Sequence, residues 1–230
     1  MVIQADRQAR CVPYGVEELA YLKRRDKQLA PIIDAIEARG HIQRPMDDDL
    51  FCSVVHHIVG QQISTAAQKT IWARMQERWG VIDAGRLSAA APEDIQSCGL
   101  TFRKVSYIQD FAMRVSGGAF DLEAVAHMPD DEAIAALSGL KGIGTWTAEM
   151  ILLFCLGRPD VLSYGDLAIQ RGMRMVYRHR AITPQLFAKY RRRLSPYGST
   201  ASLFFWEVSH GVIESLTDPA PKKKAGNLDG

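Results

Sequence analysis

Two features of the chain could do chemistry, and they lie close together in sequence. Leu140-Lys141-Gly142-Ile143-Gly144 is a glycine-punctuated turn between two helical patterns, and Asp166 stands at the start of a third. Gly142 and Gly144 carry no side chain, so another molecule can approach their backbone closely. The first N–H groups of the next helix have no internal acceptor and lie at the positive end of its dipole. A glycine turn feeding a helix N-terminus therefore suits an anion, phosphate above all. A single Gly-x-Gly more often just joins two helices. It is the longer string, LKGIGTWTA with LSYGDLAIQRG after it, that favours the anion site. Asp166 at a helix start would accept from N–H donors, which stabilise its charged form, so it is expected to be ionised at neutral pH. An ionised carboxylate can stabilise positive charge that develops in a transition state. In isolation such an aspartate would be read only as a helix cap.

The elements that must position these residues read as helices. Glu132 to Ser138 carries Ile134 and Leu137 on one face, and Thr145 can cap a second helix with Ala148, Ile151, Leu152 and Cys155 at helical spacing. Upstream, Gly15 to Arg39 is one amphipathic helix, or two interrupted at Pro31, ended by Gly40. Asp47 to Asp49 has the look of a metal site, but acids also complement the first turn of a helix, which is the preferred reading. His56 and His57 are adjacent, cannot share a helix face, and so are not expected as co-ligands. Gly60-Gln61-Gln62 is a polar interruption before a helix capped by Ser64. Leu87 to Gly99 is a short helix capped by Ser88, and Phe102-Arg103-Lys104 leads into a longer one. The last helices run to about His179, from Thr183-Pro184, and from a cap at Ser199 or Thr200. No stretch alternates apolar and polar residues as a strand would, and there is no internal repeat, so the chain reads as all-α.

A chain of 230 residues can bury a sizeable core. No apolar run is long enough to span a bilayer, and the first residues have no apolar core of a secretory signal, so no membrane partner is expected. Cys11, Cys52, Cys98 and Cys155 have no close pairs, which argues against a disulfide frame or structural zinc and for a reduced cytosol. The net charge of +2 says little, but its distribution says more. Arg171, Arg174, Arg178, Arg180, Lys189 and Arg191 to Arg193 follow one another without an intervening acid, as a phosphate-facing surface would. The tail from Thr217 through Lys222 to Lys224 is expected to be disordered.

The string LKGIGTWTA, with LSYGDLAIQRG and the earlier IVGQQIS, resembles the helix-hairpin-helix DNA glycosylases, and within them the 3-methyladenine DNA glycosylase II branch. The resemblance covers roughly Leu50 to Gly211. It implies two helical subdomains with a cleft between them: residues 40–158 with the hairpin, and residues 1–39 plus 159–216. It implies Asp166 as the catalytic carboxylate that stabilises charge at the sugar C1′ during base loss. Alkylated purines leave with little help, so one carboxylate can suffice. It implies a base pocket from Trp146, Tyr164, Met150 and Tyr197, with Trp146 stacking on a cationic ring. It places Gly142, Gly144, Lys141, Thr147, Gln61, Gln62, Arg103, Lys104 and Arg171 on DNA, with Gln62 as the wedge that fills the gap left by an extruded nucleotide. Main-chain carbonyls of Ser138, Leu140 and Ile143 would share a monovalent cation with a phosphate. Bifunctional relatives carry a lysine where this chain has Trp146, so no lyase step is expected. With Cys155 the last cysteine, no iron–sulfur cluster is expected either. The implied partner is duplex DNA with damaged bases, met by a monomer in a bacterial nucleoid or a nucleus. Two alternatives stand beside this reading: a glycosylase for a different base, and a non-catalytic helix-hairpin-helix DNA-binding module, which would need neither Asp166 nor the Gln62 turn.

Overall fold

A computed structural model describes residues 10–47 and 49–220. Over these the chain is all-helical, with an isolated antiparallel bridge between Cys11 and Pro45. The helices in chain order are α1 (Val16–Arg25), α2 (Ala30–Glu37), α3 (Leu50–Gly60), α4 (Thr65–Trp79), α5 (Ala84–Ala89), α6 (Pro92–Gln96), α7 (Phe102–Ser116), α8 (Leu122–His127), α9 (Asp130–Ser138), α10 (Thr145–Phe154), α11 (Leu167–Tyr177), α12 (Pro184–Leu194) and α13 (Gly198–Ser209). The α1–α2 break falls at Asp26 to Leu29 rather than at Pro31, which sits in the first turn of α2, where its missing N–H costs nothing. The expected Ser88 cap is replaced by Asp83, which caps α5, and Pro92 opens the separate α6.

The chain forms two compact units. Among the described residues, the first comprises 10–12 and 44–158, and the second comprises 13–43 and 159–220. Arg10 to Val12, expected with the second unit, group with the first, and residues 40–43, expected with the first, group with the second. The backbone explains the first of these, because Val12 N–H donates to Arg44 O at 2.9 Å and Met46 N–H to Arg10 O at 2.7 Å.

In the first unit the core gathers Val54, Ile58, Ile108, Phe111, Leu137, Ile151 and Leu152, all essentially inaccessible, with Phe51 stacked on Phe111 at 5.1 Å. In the second, α11 and α13 approach so closely that a Cβ on Gly172 would lie 2.2 Å from the Phe205 carbonyl oxygen. Only a residue without a side chain fits that crossing. The Asp26 carboxylate, fully buried, ties this unit together. One oxygen caps the Gln28 and Leu29 N–H groups at 3.0 Å, and the other accepts from Tyr177 Oη at 2.9 Å and Arg193 at 3.0 Å.

Candidate nucleic-acid interface

The hairpin lies in the first unit. α9 ends at Ser138 and α10 starts at Thr145, with Gly144 as its N-cap and no side chain accepting from the helix end. Thr145, expected as the cap, is instead the first helical residue. The first helical bond here runs from Ala148 N–H to Gly144 O, so the N–H groups of Thr145 to Thr147 precede the helical ladder. The two glycines serve different purposes. Gly142 has φ +83°, and a Cβ there would lie 2.4 Å from the Tyr107 ring. Gly144 has an ordinary φ of −97° and nothing within 4 Å of its missing Cβ. Gly142 is therefore required by the fold, whereas Gly144 leaves open space in front of a helix N-terminus. Beyond the end of α9, the Leu140 carbonyl accepts from Ile143 N–H at 3.1 Å. Main-chain carbonyls such as those of Ser138 and Leu140 are hard oxygen donors of the kind a monovalent cation takes.

The Gln61–Gln62 turn sits beside the hairpin. Gln61 Nε2 donates to Gly142 O at 2.6 Å, and Gln62 has the left-handed φ of +57°. Ile63 follows, more than a third exposed, and lines the same hollow as Gln62, Arg103 and Gly142. Ile63 is an apolar candidate for insertion that the sequence pattern did not single out. Lys104, expected on phosphate, instead gives its ammonium to the Val59 and Gln61 carbonyls at 2.8 and 2.7 Å. Arg103 is exposed and donates to Tyr107 Oη at 2.6 Å. Lys141 lies on the surface of the turn and pairs with Asp110 at 2.7 Å, which holds that carboxyl below its usual range.

Trp146 is 45% exposed and lines a hollow of about 600 Å³ with Thr147, Phe154, His56, His57 and Asp47. Thr147 itself is buried. Met150, expected as a pocket wall one turn on, points into the core and is 3% exposed, so this expectation is corrected. Of the acids expected to start the helix, Asp49 caps α3, accepting from Cys52 N–H at 2.8 Å. Asp48 lies outside the described residues. Asp47 accepts from Ser53 Oγ at 2.6 Å and has His56 Nδ1 at 3.7 Å. Burial pushes its carboxyl up, but the hydrogen bonds from His56 and Ser53 outweigh this and hold it below the ordinary carboxylate value. No sequence pattern signals this negative charge on the wall that Trp146 shares. Among the described residues there is no cluster of side chains suited to a metal ion, and all four cysteines are free thiols.

In the second unit Asp166 is the N-cap of α11 and is buried, with Oδ1 accepting from Ala168 and Ile169 N–H at 2.9 Å each. Tyr164, 38% exposed, packs edge-on against Phe187 at 5.1 Å and donates to Ile182 O at 3.3 Å. Leu167, immediately after Asp166, is 79% exposed, an unusual position for a leucine. Tyr197, expected as a pocket wall, packs edge-on against Tyr21 of α1 and reaches Glu17 at 3.2 Å, which gives it a packing role instead.

The basic block is less one-signed in space than in sequence. Asp218 takes two hydrogen bonds from Arg174, at 2.9 and 2.6 Å, and lies 3.8 Å from Arg171. Asp160 lies 3.7 Å from Arg191, and Arg193 pairs with Asp26. The same contacts correct the start of the expected disordered tail, since Asp218 holds the segment before residue 221 onto α11. Lys222 to Lys224 lie outside the described residues.

A family model described as "HhH-GPD superfamily base excision DNA repair protein" matches residues 55–196. DNA-3-methyladenine glycosylase 1 of Schizosaccharomyces pombe is 28% identical over 181 residues, which is 74% of this chain and 76% of that protein. The Saccharomyces cerevisiae DNA-3-methyladenine glycosylase is 33% identical over 135 residues, 54% of this chain and 46% of that one. Among solved structures, DNA-3-methyladenine glycosidase from Bacillus halodurans superposes with a TM-score of 0.77 at 29% identity, covering 90% of this chain and 95% of that one.

Proposed function

The chain belongs to the HhH-GPD superfamily of base excision DNA repair proteins, and from that membership we propose that it is a monofunctional glycosylase that removes alkylated purines, 3-methyladenine and 7-methylguanine, from duplex DNA. The observation that carries the choice is Trp146, a half-exposed indole on the helix of the hairpin, lining the same hollow as the Asp47 carboxylate. A π-face and a fixed negative charge favour a cationic ring over a neutral one. An N-alkylated purine is such a ring.

In this mechanism the open N-terminus of α10 behind Gly144 holds a phosphate. The Ser138, Leu140 and Ile143 carbonyls would hold a monovalent cation that neutralises the same phosphate. Gln62, with Ile63 beside it, occupies the space that the extruded nucleotide vacates. The C1′–N bond breaks with its electron pair going to the departing base, which neutralises the base's positive charge. The Asp166 carboxylate stabilises the sugar cation left behind. Water then adds to C1′ and loses a proton, leaving an abasic site. With tryptophan at position 146, no amine there attacks C1′. A single chain acting on DNA is sufficient for this chemistry.

The test is incubation with methylated duplex DNA, with borohydride in a parallel tube. Release of 3-methyladenine and 7-methylguanine, with no trapped protein–DNA adduct and no strand cleavage, is the expected result. A trapped adduct would refute the monofunctional reading. Release of another damaged base alone would refute the assigned substrate.

A further inference from the structure

One face of α7 touches both the Gln61–Gln62 turn and the hairpin of the first unit. Lys104, Tyr107 and Asp110 recur every third residue, so they share a helix face. The Lys104 ammonium takes the Val59 and Gln61 carbonyls at the end of α3, at 2.8 and 2.7 Å. The Tyr107 ring fills the space where Gly142 has no Cβ. Asp110 holds Lys141 at 2.7 Å. The circuit closes through Gln61, whose amide reaches Gly142 O at 2.6 Å.

We propose that Lys104 is a positioning residue rather than a phosphate contact: it fixes the Gln61–Gln62 turn to the hairpin so that phosphate grip and insertion into the duplex act together. Orphan carbonyls at a helix C-terminus attract a cation, and Lys104 supplies one from a neighbouring helix. Burial lowers its pKa, as expected for an ammonium withdrawn from solvent. Gln62 has a left-handed backbone that is unfavourable for a non-glycine residue, so the turn needs outside support of this kind. Gly60 contributes as well, since Gln68 folds over it to reach the His56 carbonyl at 2.9 Å. This proposal rests on the glycosylase reading only in taking the turn to enter duplex DNA.

Two measurements on wild type, Lys104→Met, Lys104→Arg, Gln61→Met and the Lys104→Met/Gln61→Met double variant test it. The first is affinity for a duplex containing a tetrahydrofuran abasic analogue across a salt series. A positioning lysine predicts about tenfold weaker binding for Lys104→Met with the salt slope unchanged, and partial recovery in Lys104→Arg. A phosphate contact predicts a slope reduced by about 0.9, which would overturn the proposal. The second is the ratio of methylated-base release from duplex to that from single-stranded DNA, which Lys104→Met and Gln61→Met should each lower about tenfold, without adding in the double variant. An unchanged ratio would mean a merely structural role and would also overturn it. If wild type releases no base from either substrate, the functional reading fails, while the binding series still decides the role of Lys104.

Discussion

The Gln61 amide donates to the Gly142 carbonyl at 2.6 Å, so two turns 81 residues apart in sequence are joined by one hydrogen bond. Gly142 is further fixed from below by Tyr107, whereas Gly144, two residues on, meets nothing. The two glycines should therefore respond differently to the same substitution. Gly142→Ala combines a left-handed backbone with a clash and should cost about 2 kcal/mol or more, read as a lower Tm. Gly144→Ala should leave Tm nearly unchanged and weaken DNA binding, because its methyl group occupies the approach to the helix N-terminus. Equal losses of Tm would contradict this division of roles.

Trp146 and Asp47 should act on substrate rather than on fold. Trp146→Leu loses an exposed ring, and with it roughly 1–2 kcal/mol of cation–π attraction, seen as about a tenfold drop in kcat/KM for methylated purines. Asp47→Asn keeps its size but loses its charge, so it should lower the preference for cationic over neutral lesions such as hypoxanthine. A preference ratio equal to that of wild type would show that the Asp47 charge does not reach the base.

The buried Asp26 network sets the stability of the second unit. Asp26→Ala leaves Arg193 and Tyr177 without their acceptor and removes the cap on the N–H groups of Gln28 and Leu29. The expected loss is about 3–5 kcal/mol, measured by denaturant unfolding. A loss within the range of ordinary surface substitutions would contradict the network's role.

The Asp218–Arg174 pair predicts a pH effect. The Arg174 guanidinium lowers the Asp218 pKa in the folded state. A depressed carboxyl stabilises the fold above its unfolded value and loses that contribution as pH falls through the folded value. The contribution, about 1 kcal/mol for this partly exposed pair, should thus be intact near neutrality and disappear well below about pH 4. Asp218→Asn should lower Tm at neutral pH and show a shallower acid limb than wild type. Parallel Tm–pH curves would refute the assignment.

Much of this was legible in the sequence where periodicity and local chemistry agree. The hairpin, the Ser64 cap, the Thr183-Pro184 helix start and the capping position of Asp166 all depend on residues near one another in the chain. What was not legible depends on distant partners. Nothing near Lys104 announces that its acceptors are Val59 and Gln61, and nothing in the basic run reveals that Asp26, Asp160 and Asp218 neutralise part of it. Met150 shows the limit of motif spacing: one turn after Trp146, it nevertheless points into the core. Tyr197 follows a proline, as a loop residue would, yet its ring packs edge-on against Tyr21 of α1.

The most direct test of the central claim is single-turnover base release from methylated duplex DNA by wild type and Asp166→Asn. Asparagine is as good an N-cap as aspartate, so the variant should keep Tm and DNA affinity while losing only the charge. The account predicts a rate reduced at least about a hundredfold, with binding to an abasic-analogue duplex retained. Release at the wild-type rate by a folded Asp166→Asn protein would contradict it.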